Sequence, residues 1–161
     1  MNAAVSPSVE LQCAAGVSPP AGVRPEQWVV ATLARVSQVR AGDIALRLVG
    51  AGESQALNLR YRGRDAPTNV LAFPAELPPG LPLETEALLG DLVICVPLLY
   101  EEAAAQGKTP LAHFAHLVVH GTLHLAGLDH DSDAEAAQME ALEGEIMREL
   151  GFADPYLAER G

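Results

Sequence analysis

Apolar residues alternate with polar ones in DIALRLVG, where Ile44, Leu46 and Leu48 share one face, and this spacing predicts a strand. LLGDLVICV is almost continuously apolar, which predicts a strand covered on both faces and central to its sheet. VELQC and TNVLAFP, the latter ended by Pro74, predict two further strands. After the turn-rich SPPAGVRP the period changes. Pro25 suits the first turn of a helix running to about Val39, with Trp28, Val29, Leu33 and Val36 as its apolar stripe. ESQALNLRYRG predicts a short helix closed by Gly63. From Pro97 onward three more helices are predicted, in PLLYEEAAAQG, PLAHFAHLVVHGTLHLAG and AEAAQMEALEGEIMREL. Ser132 and Glu135 form an S-x-x-E box at the start of the last, whose Met139, Leu142 and Ile146 share a face. Residues 75–87, rich in proline, predict an exposed loop, and residues 1–10 a partly disordered start. The expected fold class is α+β: one domain over residues 1–161, with a small mixed β-sheet packed by helices around a central metal-binding helix.

Composition adds constraints. At 161 residues and 49% hydrophobic, the chain is expected to bury about 68–70% of its unfolded surface and to fold without help from a metal. A net charge of −11 argues against broad attraction to nucleic acid or an anionic membrane, so a phosphate-bearing substrate needs a local positive site. The acidic run DHDSDAEAAQMEALEGE is expected to be a solvated helix face. No run approaches the roughly 20 apolar residues of a membrane span, and the first 25 residues lack the pattern of a signal peptide. Cys13 and Cys95 form no C-x-x-C pair, which points to a reducing, cytoplasmic location, with Cys95 a buried hydrophobe.

The candidate chemistry lies in HGTLHLAGLDH, residues 120 to 130. On a helix, His113, His116, His120 and His124 fall within about 80° of one another. His120 and His124, one turn apart, can present two nitrogens to one ion, and Gly127 allows the reversal that brings His130 to it. Three neutral imidazoles suit one Zn2+ per chain, although nickel, copper and iron accept the same ligands. Three protein ligands leave a coordination position for chemistry. With no carboxylate among them the ion would keep its double charge and attract phosphate. His116 could support a ligand or bond a substrate; His113 is expected farther out and partly exposed. Asp91 and Asp129 are candidates to hold an imidazole by its other N–H. The spacing also matches the zinc-protease signature H-E-x-x-H-x-x-G-x-x-H, but Gly121 stands where the protease has its glutamate, so a metalloprotease is a remote alternative.

LNLRYRGRDAPTNVLAFP, residues 57 to 74, carries Arg60, Arg62 and Arg64 at alternate positions. They could serve the helix C-terminus, where the dipole favours cations, or one could reach the metal cleft and hold a phosphate. Spacing leaves both open. YRGRDAPTNVLAFP, LLGDLVIC, AHLVVHGTLHLAGLDH and MEALEGEIM, in this order, closely resemble the bacterial YbeY family of rRNA maturation endoribonucleases, over about residues 53 to 150. The first fifty residues match only in their order of elements. The resemblance implies a metal-dependent RNA hydrolase that prefers single strands and acts in small-subunit rRNA 3′-end maturation and ribosome quality control. Its implied partners are single-stranded RNA or rRNA, the ribosomal small subunit and its assembly proteins, with no DNA or membrane. The family's zinc-binding histidines map onto His120, His124 and His130, and its functional arginine onto Arg62. Arg60, Arg64 and Asn69 of P-T-N-V-L are further candidates for binding substrate. Ala72 and Leu128 depart from the serine and tyrosine common in the family. The expected mechanism is metal-assisted phosphodiester hydrolysis, with Arg62 stabilising charge on the phosphate and no evident strong base beside the water. The principal alternative is a ribosome assembly factor whose metal site binds RNA or a protein with little catalysis.

Overall fold

The structure, a computed structural model, describes residues 8–21, 24–36, 42–75, 88–128 and 131–156. In chain order the elements are β1 (Val9–Cys13), α1 (Pro25–Leu33), β2 (Asp43–Val49), α2 (Ala51–Arg62), β3 (Val70–Pro74), β4 (Leu88–Cys95), α3 (Val96–Gln106), α4 (Pro110–Leu125) and α5 (Asp133–Glu149). The strands form one mixed sheet in the order β1-β2-β4-β3. β2 runs parallel to β1 and β4, whereas β3 pairs antiparallel with β4. The near-continuous apolar run thus does occupy an interior strand, β4, and the α+β class with a small mixed sheet holds.

Strand periodicity divides the sheet into two faces. Ile44, Leu46 and Leu48 of β2 and Leu92 and Ile94 of β4 pack in one core with residues of α1, α3, α4 and α5. Val49, Leu71 and Val93 point the other way, into a small cluster joined by Leu57 of α2 and Phe73. Four helices therefore cover one face and α2 the other.

α4 is the central helix. Phe114, Ala115, Leu117, Val118, Val119 and Leu123 bury most of its circumference, as expected of a helix apolar on nearly every side. It contacts α1, α3, α5, β3 and β4. Thr109 caps its start by accepting the Ala112 N–H at 3.1 Å, with Pro110 in the first turn. Trp28 of α1 meets the Phe114 ring edge-to-face at 5.4 Å and fixes the crossing of the two helices.

Two boundaries differ from the sequence pattern. α1 ends at Leu33 and not near Val39; the chain tightens into turns, with the Val36 N–H bonding the Leu33 carbonyl at 3.2 Å. Val36 still packs on the core, so the apolar spacing reports burial correctly although the backbone is no longer helical. Residues 37–39 lie outside the described residues, as do 1–7 and 76–87, which include most of the predicted loop. β1 begins at Val9, inside the stretch expected to be partly disordered. Among the described residues no helix is long and apolar enough to cross a membrane.

Candidate metal centre

The flank of α4 next to the histidine stripe, about 100° round the helix from His120, is pressed against the sheet. Gly121 marks the contact: a Cβ there would stand 2.7 Å from Leu92 Cδ2 and 3.4 Å from Val70 Cγ2. Gly121 is thus a packing glycine whose missing side chain faces β3 and β4. One residue earlier, His120 is only partly buried, and so is His124 one turn on. At the end of the helix Gly127 takes φ 97°, the positive value expected of the reversal.

His120 Nε2 and His124 Nε2 converge to 3.1 Å. His120 Nδ1 lies 2.7 Å from Glu143 Oε1. Since the carboxylate can only accept, Nδ1 carries the proton and the lone pair of Nε2 faces His124. Two imidazole nitrogens bound tetrahedrally to one zinc ion at about 2.0–2.1 Å would stand about 3.3 Å apart, so the pair fits a shared ion. Asp129 and His130, the expected third ligand, lie outside the described residues. Among the described residues no group of three or more His, Cys, Asp or Glu side chains is placed to hold a metal.

Glu143 is the residue that sequence reasoning missed. It belongs to the acidic run expected to be solvated, yet it is 1% exposed, on the inner face of α5 with Met139, Ile146 and Met147. Its spacing to Met139 and Ile146 was the available signal, since a carboxylate at a core position of a helical stripe requires a partner. The partners are several. Oε1 accepts from His120 and lies 3.3 Å from His116 Nε2, while Oε2 accepts the Tyr156 hydroxyl at 2.9 Å. Burial pushes the carboxyl upward, but hydrogen bonds from His116 and His120 outweigh it and hold the pKa lowered to about 2. A carboxylate charge therefore sits one imidazole away from the proposed ion.

A cleft of about 760 Å3 runs from His120 past His116, His113, Asn69, Glu102, Lys108 and Tyr156. His116 Nε2 is 3.2 Å from the Tyr156 hydroxyl. His113, expected to be partly exposed, is 3% exposed instead, because α3 packs beside α4 and brings Glu102 Oε1 to 2.8 Å from its Nε2. The helix period alone carries no trace of that neighbour. Burial lowers the His113 pKa, partly offset by Glu102. Asn69 donates to both oxygens of Glu102, at 3.1 and 3.3 Å, and its own oxygen accepts the Val70 N–H at 2.7 Å.

The other candidates stand apart. Asp91 is exposed on the far face of the sheet, in a second hollow lined by Arg47, Glu53, Tyr61 and Phe73, and is not brought to the histidines. Arg62 is exposed in the last turn of α2, with Arg60 in the same turn and Arg64 just past the left-handed Gly63. Arg60 lies over the Tyr61 ring at 5.3 Å. Arg62 is not among the residues lining the histidine cleft.

The sequence model of the family described as Endoribonuclease YbeY matches residues 24–151. The chain belongs to the YbeY endoribonuclease family. A YbeY relative from Stenotrophomonas maltophilia is 55% identical over 142 residues, covering 88% of this chain and 87% of its own. Another, from Halorhodospira halophila, is 50% identical over 145 residues, covering 90% and 93%. Both bear the name Endoribonuclease YbeY. The solution structure of a Thermotoga maritima protein superposes with a TM-score of 0.55 at 22% identity, covering 94% of this chain and 91% of that one, which supports the shared fold. YbeY membership places the chain among endoribonucleases, hydrolases that cut RNA internally. The likeness to the zinc-protease signature is then one of residue spacing only.

Proposed function

We propose that the chain is a zinc-dependent endoribonuclease that prefers single-stranded RNA and acts in small-subunit rRNA 3′-end maturation and ribosome quality control. One observation carries the metal reading: two converging Nε2 atoms, one of them held in its lone-pair form by a buried carboxylate. His120 and His124 would hold the ion, with His130 assigned as third ligand by its spacing and by the family resemblance. When bound, such an ion supplies Lewis-acid activation of water and of a phosphoryl oxygen.

The chain's own residues do the rest. Glu143 keeps the proton on His120 Nδ1 and fixes the ring. Arg60, Arg62 and Arg64 gather three of the ten cationic side chains of an acidic chain at one helix end, a local site for the RNA backbone. Arg62 is assigned the stabilisation of phosphate charge, through its planar fork. The ribosomal small subunit and its assembly proteins are the proposed partners, in the cytoplasm. A second reading, an assembly factor with little catalysis, draws on the position of Arg62 outside the cleft lining. Metal-stripped protein incubated with single-stranded RNA, with metals restored one at a time, tests both readings. Zinc is expected to restore cleavage, and metal uptake without any restored cleavage would favour the assembly role.

A further inference from the structure

We propose that residues 151–156, which follow α5, are a positioning strap that sets the His120 ring through Glu143. This rests on the metal reading above. The segment is fastened at several points. The Phe152 N–H bonds the Met147 carbonyl at 2.8 Å, and the Phe152 ring meets Trp28 edge-to-face at 6.3 Å. Asp154, itself buried, takes Arg148 Nη1 on Oδ2 at 3.0 Å and the Tyr156 N–H on Oδ1 at 2.8 Å. It lies flush against α5 at Gly144, where a Cβ would stand 2.5 Å from Asp154 Oδ2. The sequence therefore spends a glycine in mid-helix, at a cost of about 1 kcal/mol in helix propensity, where the strap needs the room.

What the strap delivers is the Tyr156 hydroxyl, 2.9 Å from Glu143 Oε2. A carboxylate turns easily about its last torsion, which is broad and two-fold. With only His120 on Oε1, the Glu143 plane could swing and the imidazole with it. Tyr156 ties down the second oxygen, and His116 Nε2 lies within 3.2 Å of the tyrosine oxygen and 3.3 Å of Oε1. Two oxygens anchored from two elements fix the plane of the carboxylate, and through it the direction in which His120 Nε2 aims. Tyr156 acts through Glu143 on the ligand, so it is a positioning residue.

Two readouts on the folded protein test this. The first is zinc affinity by chelator competition. Glu143→Gln is expected to weaken binding about 10–100-fold, the usual effect of losing an outer-shell partner. Tyr156→Phe should weaken it about 3–10-fold, as should Gly144→Ala, which displaces the strap without altering any group that bonds His120. Tyr156→Phe combined with Gly144→Ala should bind zinc no more weakly than the more affected of these two single variants, since both cut the same link. Unchanged affinity in both Tyr156→Phe and Gly144→Ala, with thermal unfolding confirming the fold, overturns the strap. The second readout needs no metal: long-range 1H–15N correlation reads the His120 tautomer. Nδ1–H is expected in the parent protein, with a shift toward Nε2–H in Tyr156→Phe. A parent protein that takes up no zinc removes the metal reading, and the tautomer still decides on the strap: an unshifted tautomer in Tyr156→Phe rejects it.

Discussion

Restoring the protease glutamate at position 121 separates chemistry from packing. Gly121→Ala places a Cβ 2.7 Å from Leu92 Cδ2, and Leu92 is itself fully buried, with little room to move away. Overpacking of this kind costs about 1–3 kcal/mol. Replacing a helical glycine by alanine returns about 1 kcal/mol, so the net loss is about 0–2 kcal/mol. For a domain of this size that is a fall in Tm of up to about 8 °C. Gly121→Glu adds a carboxylate aimed at the apolar side chains of Leu92 and Val70, a burial cost of several kcal/mol. That consumes much of a typical total stability of about 5–15 kcal/mol. Thermal and urea unfolding of both variants, with a peptidase assay on unstructured protein, measures the outcome. The expected order is parent, alanine, glutamate, with no peptidase activity in any. A Gly121→Glu variant that melts with the parent, or that cleaves peptide bonds, would show that position 121 faces the cleft.

Arg62→Ala should abolish RNA cleavage while the fold and zinc content persist; survival of cleavage in both this variant and His124→Ala would assign the activity elsewhere. Phe114→Ala, at the α1–α4 crossing, should cost about 3–5 kcal/mol in urea unfolding, and a loss below 1 kcal/mol would contradict the central place given to α4. Acid should destabilise the protein in two stages, both of the same sign. His113 resists protonation in the fold, so stability falls as pH drops below about 6.5, and Glu143 contributes stability that is present above about 4.5 and lost as pH falls toward about 2. His113→Gln should flatten the first stage in urea midpoints measured from pH 7 to 5.5, and an unaltered slope would count against burial as the cause.

Much of the fold is legible because each element buries one periodic face. Ile44, Leu46 and Leu48 give β2, and the unbroken run at Leu92–Cys95 places β4 in the interior of the sheet. Among the described residues, the site is legible only as far as it is local. His120 and His124 are one turn apart on one helix, so their convergence follows from helix geometry. Glu143, Tyr156 and Glu102 come from α5, the segment that follows it and α3, and tertiary packing alone brings them to the stripe. Asp91 shows the converse: the sheet pleat turns it to the far face, and only strand pairing fixes which face that is. Gly121, read for its missing chemistry, is explained by a distance to Leu92 that no motif spacing contains.

X-ray absorption of the zinc-loaded protein tests the central claim most directly. The account predicts nitrogen scatterers at about 2.0–2.1 Å with an imidazole pattern, lost in His124→Ala. A sulfur shell at about 2.3 Å, or a spectrum unchanged by His124→Ala, would contradict it.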